Sequence, residues 1–244
     1  MRDLVFVHGG LYNATCWDGV VAELRTMDPP RFGDIVQLDL PGAGTKRDRR
    51  LEDLTRDAIV DELCAEVRDA GLDNPVLIGH SISGTLLPLM ARQLDLTAIC
   101  FVTTAILAPG QIGNDLFGNG RFGDDPERVG YPADPATTTP REMDRIRFCL
   151  DFTDEEAEHW LDHCYDDAPN MALMTTPATS IDSASLPPVT YIRALRSPVF
   201  PLEWQDRFAA RIGPDVRVVD IDTGHAPFYT HPQQLAALLA ELFA

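Results

Sequence analysis

The chain has 244 residues, 45% of them hydrophobic, and a formal net charge of −18 at pH 7. That length buries one large core, so a single domain is expected. The acidic surplus repels phosphate backbones and anionic lipid, which argues against nucleic-acid and membrane partners.

In chain order, the strand Leu4-Val5-Phe6-Val7 follows Met1-Arg2-Asp3 directly, with no basic leader ahead of it and no later run long enough to span a bilayer. Five scattered cysteines, Cys16, Cys64, Cys100, Cys149 and Cys164, include no Cys-x-x-Cys pair and read as thiols of a reducing compartment. A soluble cytoplasmic protein is the expectation. The strand ends in His8-Gly9-Gly10-Leu11, where two glycines suit a tight turn and equally let backbone amides approach a ligand. Thr15-Cys16-Trp17-Asp18 reads as a capping box opening a helix over 16–25.

A second strand, over 35–39, runs into a Gly-rich loop. A phosphate loop needs the order Gly-Lys-Ser/Thr at a helix start, whereas Gly44-Thr45-Lys46 is followed by Arg47-Asp48-Arg49-Arg50. A solvated turn is the reading. The next helix, over 54–70, carries Ile59, Leu63 and Val67 on one stripe and stops at Gly71.

The stretch Val76-Leu77-Ile78-Gly79-His80-Ser81-Ile82-Ser83-Gly84 is the most informative. A Gly-x-Ser-x-Gly turn drives the chain through a strained strand-to-helix bend and lifts the serine oxygen clear of the sheet. Here Ser83 takes the second glycine's place and Gly84 comes one later. A helix over 85–92 follows, aiming its N-terminal amides at Ser81. With this elbow present, the amides of Gly10 and Ile82 become the expected oxyanion hole.

A buried strand over 98–102 ends at Thr103-Thr104, and the composition shifts beyond Ala108-Pro109-Gly110. Residues 1–109 and 186–244 are expected to form the core, and 110–185 a helical cap with helices over 141–150 and 154–165. Cap residues such as Leu116, Phe117, Phe148, Trp160, Leu173 and Met174 either line a substrate pocket or pack the cap itself. From the core, Leu11, Tyr12 and Phe228 are pocket candidates. Arg145 and Arg147 either meet an acidic substrate group or lie on a solvated helix face. His159 and His163 sit four apart, but Trp160 stands where metalloprotease spacing wants Glu, so neither metal nor cofactor is expected. A strand over 189–192, a helix over 201–211 and a strand over 216–221 lead to Asp222-Thr223-Gly224-His225-Ala226-Pro227-Phe228. His225, late in the chain and just past a strand, is the expected base for the Ser81 hydroxyl.

On His8-Gly9-Gly10, Gly79-His80-Ser81 and Gly224-His225, the chain resembles the α/β-hydrolase superfamily over nearly its whole length. Within it, the small branch of plant methyl-ester esterases and hydroxynitrile lyases is the most similar. The resemblance implies an α/β fold with a mostly parallel sheet of about six strands, helices on both sides and a helical cap. It puts the nucleophile at Ser81, the base at His225 and the oxyanion amides at Gly10 and Ile82. The family's acid is an Asp shortly after the strand that follows the cap, and Ser197 occupies that slot. Asp222 and Glu203 are the alternatives, while Thr103 and Thr104 supply no acid.

Two classes stay open: a serine hydrolase of a small, largely apolar ester, thioester or lactone, and a lyase or cyclase of a biosynthetic pathway that uses His225 as base. A catalytically inert binding protein is a third. A monomer or homodimer suits any of them.

Overall fold

Six strands form one sheet: β1 (Arg2–Val7), β2 (Phe32–Leu38), β3 (Val76–His80), β4 (Ala98–Val102), β5 (Val189–Ala194) and β6 (Arg217–Ile221). They lie in the order β2-β1-β3-β4-β5-β6, with each neighbouring pair parallel. Parallel strands need both faces covered, which is why they read as unbroken apolar runs. β3 and β4 are buried at every residue. The α/β fold with helices flanking a six-stranded parallel sheet is therefore present as expected. This computed structural model describes residues 1–116, 127–167 and 171–244.

The sheet is covered by α1 (Asp18–Arg25), α2 (Arg56–Asp69), α3 (Leu87–Met90), α8 (Leu202–Ile212), α9 (Pro227–Thr230) and α10 (Pro232–Phe243). Two helix starts differ from the sequence reading. Asn13, not Thr15, makes the cap, accepting the Thr15 N–H, and a 3-10 turn over Ala14–Trp17 precedes α1. After the elbow the helix is broken into a 3-10 turn, Ser81–Thr85, and the four-residue α3. Pro88, which has no N–H to give, stands in the first turn of α3.

Between β4 and β5 the described residues of 103–188 lie outside the sheet. This excursion carries α4 (Gly113–Leu116), α5 (Pro140–Phe148), α6 (Asp154–His163) and α7 (Met171–Thr175). The sequence explains α5 and α6 well, since Thr139 with Glu142 and Thr153 with Glu156 form reciprocal capping boxes.

The functional end is where β1, β3, β5 and β6 release their chains, the C-terminal edge at which parallel sheets present ligand sites. Close backbone approach sets that edge. A Cβ on Gly79 would lie 2.6 Å from Ser83 Oγ, and one on Gly84 2.6 Å from the Ala105 carbonyl oxygen. Gly84→Ala should therefore cost about 1–3 kcal/mol, because backbone must move. Gly110→Asn, at φ +82 with nothing within 4 Å, should cost less than about 1 kcal/mol. Urea midpoints of the two variants read the difference, and equal losses would contradict the packing account.

Candidate active site

Ser81 holds φ +54, the left-handed region that a non-glycine residue rarely occupies, and so makes the sharp turn from β3 into the 3-10 turn. Ser83 fits the glycine position by folding its hydroxyl inward, where it donates to the His80 carbonyl at 2.8 Å. The Ile82 N–H is second in the turn, where no partner exists inside the helix. Gly10 and Ile82 line the same cavity as Ser81. Gly9 is the tighter of the glycine pair: a Cβ there would lie 2.8 Å from Ser81 Cβ and 2.7 Å from His80 Nδ1, whereas one on Gly10 meets only Ile82 Cγ2 at 3.9 Å.

His225 follows β6 and is 1% exposed. Its Nε2 lies 3.1 Å from Ser81 Oγ and its Nδ1 3.2 Å from Ser197 Oγ. The Ser197 oxygen also accepts the Phe200 N–H at 3.2 Å. A hydroxyl both donates and accepts, so it orients the ring without supplying charge. Neither alternative acid comes to the ring. Asp222 points outward to Arg196 Nε at 2.7 Å, with its side chain 70% exposed, and Glu203 faces solvent on the first turn of α8. Both are pulled away by hydration and, for Asp222, by the arginine.

Two further histidines, unassigned by the sequence reading, brace this geometry. His80 Nε2 donates to the His225 carbonyl at 2.9 Å. The Leu40 N–H donates to His8 Nε2 at 2.9 Å, so His8 Nδ1 carries the proton and donates to the Gly9 carbonyl at 2.7 Å. Burial depresses the pKa of all three rings, that of His80 to about 3. For His225 the positive forms of His80 and Arg147 press the same way.

The cavity over Ser81 has a volume of about 270 Å³ and is walled mainly by apolar side chains, among them Leu11, Tyr12, Leu40, Phe148, Leu173 and Val199. Trp160 and Phe228 stand behind this wall instead of in it. Trp160 packs on Tyr12 at 5.7 Å between ring centres and Phe228 on the same ring at 5.1 Å, so both support a lining residue. Phe117 lies outside the described residues. The two arginines separate: Arg145 bonds Glu158 and Asp154 at the surface, while Arg147 enters the cavity wall. Asp167 is there too, held by Arg47 Nε at 2.8 Å, Asn13 Nδ2 at 3.0 Å and the Gly44 N–H at 3.0 Å.

The Gly-rich loop spends its donors inside the protein, since the Thr45 N–H and hydroxyl both give to Asp39 at 2.8 Å. Lys46 goes to Glu62 and Glu66. Asp151, also unassigned by the sequence reading, takes the Gly224 N–H at 2.5 Å and joins the excursion to the His225 loop. The rings of His159 and His163 lie 4.8 Å apart at a tilt of 57°, and among the described residues no three or more His, Cys, Asp or Glu are placed to hold a metal. No described helix is long and apolar enough to cross a membrane.

Comparison with known proteins extends this picture. The model of the alpha/beta hydrolase family matches residues 4–238. The pyrethroid hydrolase of Sphingobium wenxiniae is 22% identical over 99% of this chain and 87% of its own. A probable hydrolase from a Phoma species is 26% identical over 98% and 97%. The crystal structure of a methylesterase from Arabidopsis superposes with a TM-score of 0.71 at 21% identity, covering 99% of this chain and 98% of that one.

The buried histidines set an acid limit on stability. The folded rings resist protonation while unfolded ones accept it near pH 6.5, so stability is full above that pH and falls as the pH drops toward the depressed folded values. Each ring contributes at most about 1.4 kcal/mol per pH unit. The urea midpoint should drop measurably between pH 7 and pH 5, before most carboxylates titrate. An unchanged midpoint over that window would contradict burial of neutral imidazoles.

Proposed function

The chain belongs to the alpha/beta hydrolase family, and from that footing we propose that it is a serine hydrolase of a small-molecule carboxylic ester, thioester or lactone. The observation that carries the reading is Ser81 at φ +54 with His225 Nε2 3.1 Å from its oxygen. In this reading Ser81 Oγ attacks the ester carbonyl as His225 Nε2 takes its proton, and the amides of Gly10 and Ile82 stabilise the oxyanion. His225 then returns the proton to the leaving alcohol. Water, deprotonated by the same nitrogen, releases the acid from Ser81. The residues of the β4–β5 excursion act as a cap that shapes the pocket. Relatives named as a pyrethroid hydrolase and a methylesterase support ester cleavage as the class.

A second reading, elimination or cyclisation with His225 as the base, is favoured by one observation. Ser197 supplies no negative charge to the imidazolium, and a carbon acid adjacent to an oxyanion hole needs only a neutral ring. The two readings part on Ser81. Intact-mass analysis after exposure to a fluorophosphonate should show a single adduct that Ser81→Ala abolishes, with turnover of a short activated ester lost in the same variant. Absence of both adduct and turnover in folded protein would overturn the hydrolase reading in favour of the second.

A Ser197→Asp variant adds a test of the acid slot. In a serine protease, neutralising the acid costs about four orders of magnitude, so restoring one should raise kcat for the activated ester more than about tenfold. No gain would contradict the role given to Ser197.

A further inference from the structure

The acyl-transfer steps make no use of Arg147, yet it stands in the wall of the cavity that holds Ser81. Its guanidinium carbon lies 5.0 Å from the centre of the Phe148 ring and 5.7 Å from that of Tyr131, so aromatic faces hold the side chain in place. The remaining wall is largely apolar. Asp167, the other charged residue among the described lining, is itself held by Arg47, Asn13 and the Gly44 N–H. Asp144, one helical turn from Arg147, accepts the Tyr165 hydroxyl and also acts on the guanidinium.

We propose that Arg147 is a carboxylate subsite, and that the substrate is an ester bearing a free carboxylate, which the guanidinium grips while the ester carbonyl lies at Ser81. The inference rests on the hydrolase reading for the ester and on the cavity wall for the carboxylate. A guanidinium carries five N–H donors in a planar fork, so it keeps its neighbours in the wall and still presents a pair to a carboxylate. A fixed cation beside largely apolar described walls suits an anion with an apolar body.

The same assignment answers the electrostatics of the base. Arg147 acts on His225 as a positive charge that opposes an imidazolium, and a hydroxyl fills the acid slot. A substrate carboxylate cancels the charge of Arg147 and brings a negative charge into the low-dielectric cavity when Ser81 attacks. The protein's net charge of −18 opposes an anion from afar, but that field is screened beyond about 8 Å at physiological salt. Contact with Arg147 occurs well inside that distance.

Binding tests this without relying on turnover. Phenylacetate and phenylacetamide, titrated calorimetrically at neutral pH into the full chain, differ chiefly in charge. The wild type should prefer the acid by roughly tenfold or more, the worth of one charge-assisted pair. Arg147→Met should abolish the preference, Arg147→Lys should keep part of it, and the surface variant Arg145→Met should leave it intact. Equal affinities in the wild type, no saturable binding of the acid at millimolar concentration, or a preference that survives Arg147→Met would each overturn the subsite. Should Arg147→Met fail to fold, the wild type and Arg147→Lys still decide, since loss of preference must track loss of the fork. Fluorophosphonate labelling of Ser81 in the same preparations reports on the hydrolase reading alone. Labelling without carboxylate preference removes only the subsite, and preference without labelling keeps the subsite but removes the ester.

Discussion

The constraint on which the site depends is a buried imidazole held between two hydroxyls. His225 reaches Ser81 Oγ at 3.1 Å on one side and Ser197 Oγ at 3.2 Å on the other, and neither contact carries a formal charge. Where a carboxylate fills the second place it fixes the tautomer and steadies the imidazolium, together worth about 5 kcal/mol in a serine protease. Ser197 retains the positioning half of that role. In the proposed mechanism the electrostatic half falls to whatever else enters the cavity, which ties the chemistry of the substrate and of Arg147 to His225.

Strain and packing bring the three residues together. The left-handed turn at Ser81 costs on the order of 1–2 kcal/mol, less than the roughly 1.5–3 kcal/mol that one fully buried Leu or Phe contributes. β3 and β4 bury all of theirs, so the sheet holds the turn with ample margin. His8 fixes the Gly9 carbonyl and His80 fixes the His225 carbonyl. These two neutral rings stiffen backbone on either side of Ser81 at the expense of acid stability.

Much of this was legible in the sequence because it rests on local rules. Strands buried on both faces are unbroken apolar runs, and the elbow is a short motif whose strain follows from its spacing. Ser197 was pointed to by the family resemblance instead, and the structure brings its Oγ to 3.2 Å from His225 Nδ1. What escaped depended on side-chain direction across long separations. Arg145 and Arg147 are two apart on α5, so they leave the helix in different directions. Only tertiary packing sends one to Glu158 and the other to the cavity. Trp160 and Phe228 are aromatic, yet nothing local says that Tyr12 stands in front of both. Asp151 and Asp167 act through backbone N–H groups 73 and 123 residues away, a kind of pairing that no short-range pattern encodes.

The most direct test of the charge-poor site is the protonation state of His225, read from the nitrogen shifts of its ring by NMR across pH 5 to 8, with Ser197→Asp as reference. The account predicts a neutral ring throughout, protonated on Nδ1, with an imidazolium appearing in this range only in the variant. A wild-type ring that titrates near the ordinary value for histidine would mean that a negative charge reaches it after all, and the account would be wrong at its centre.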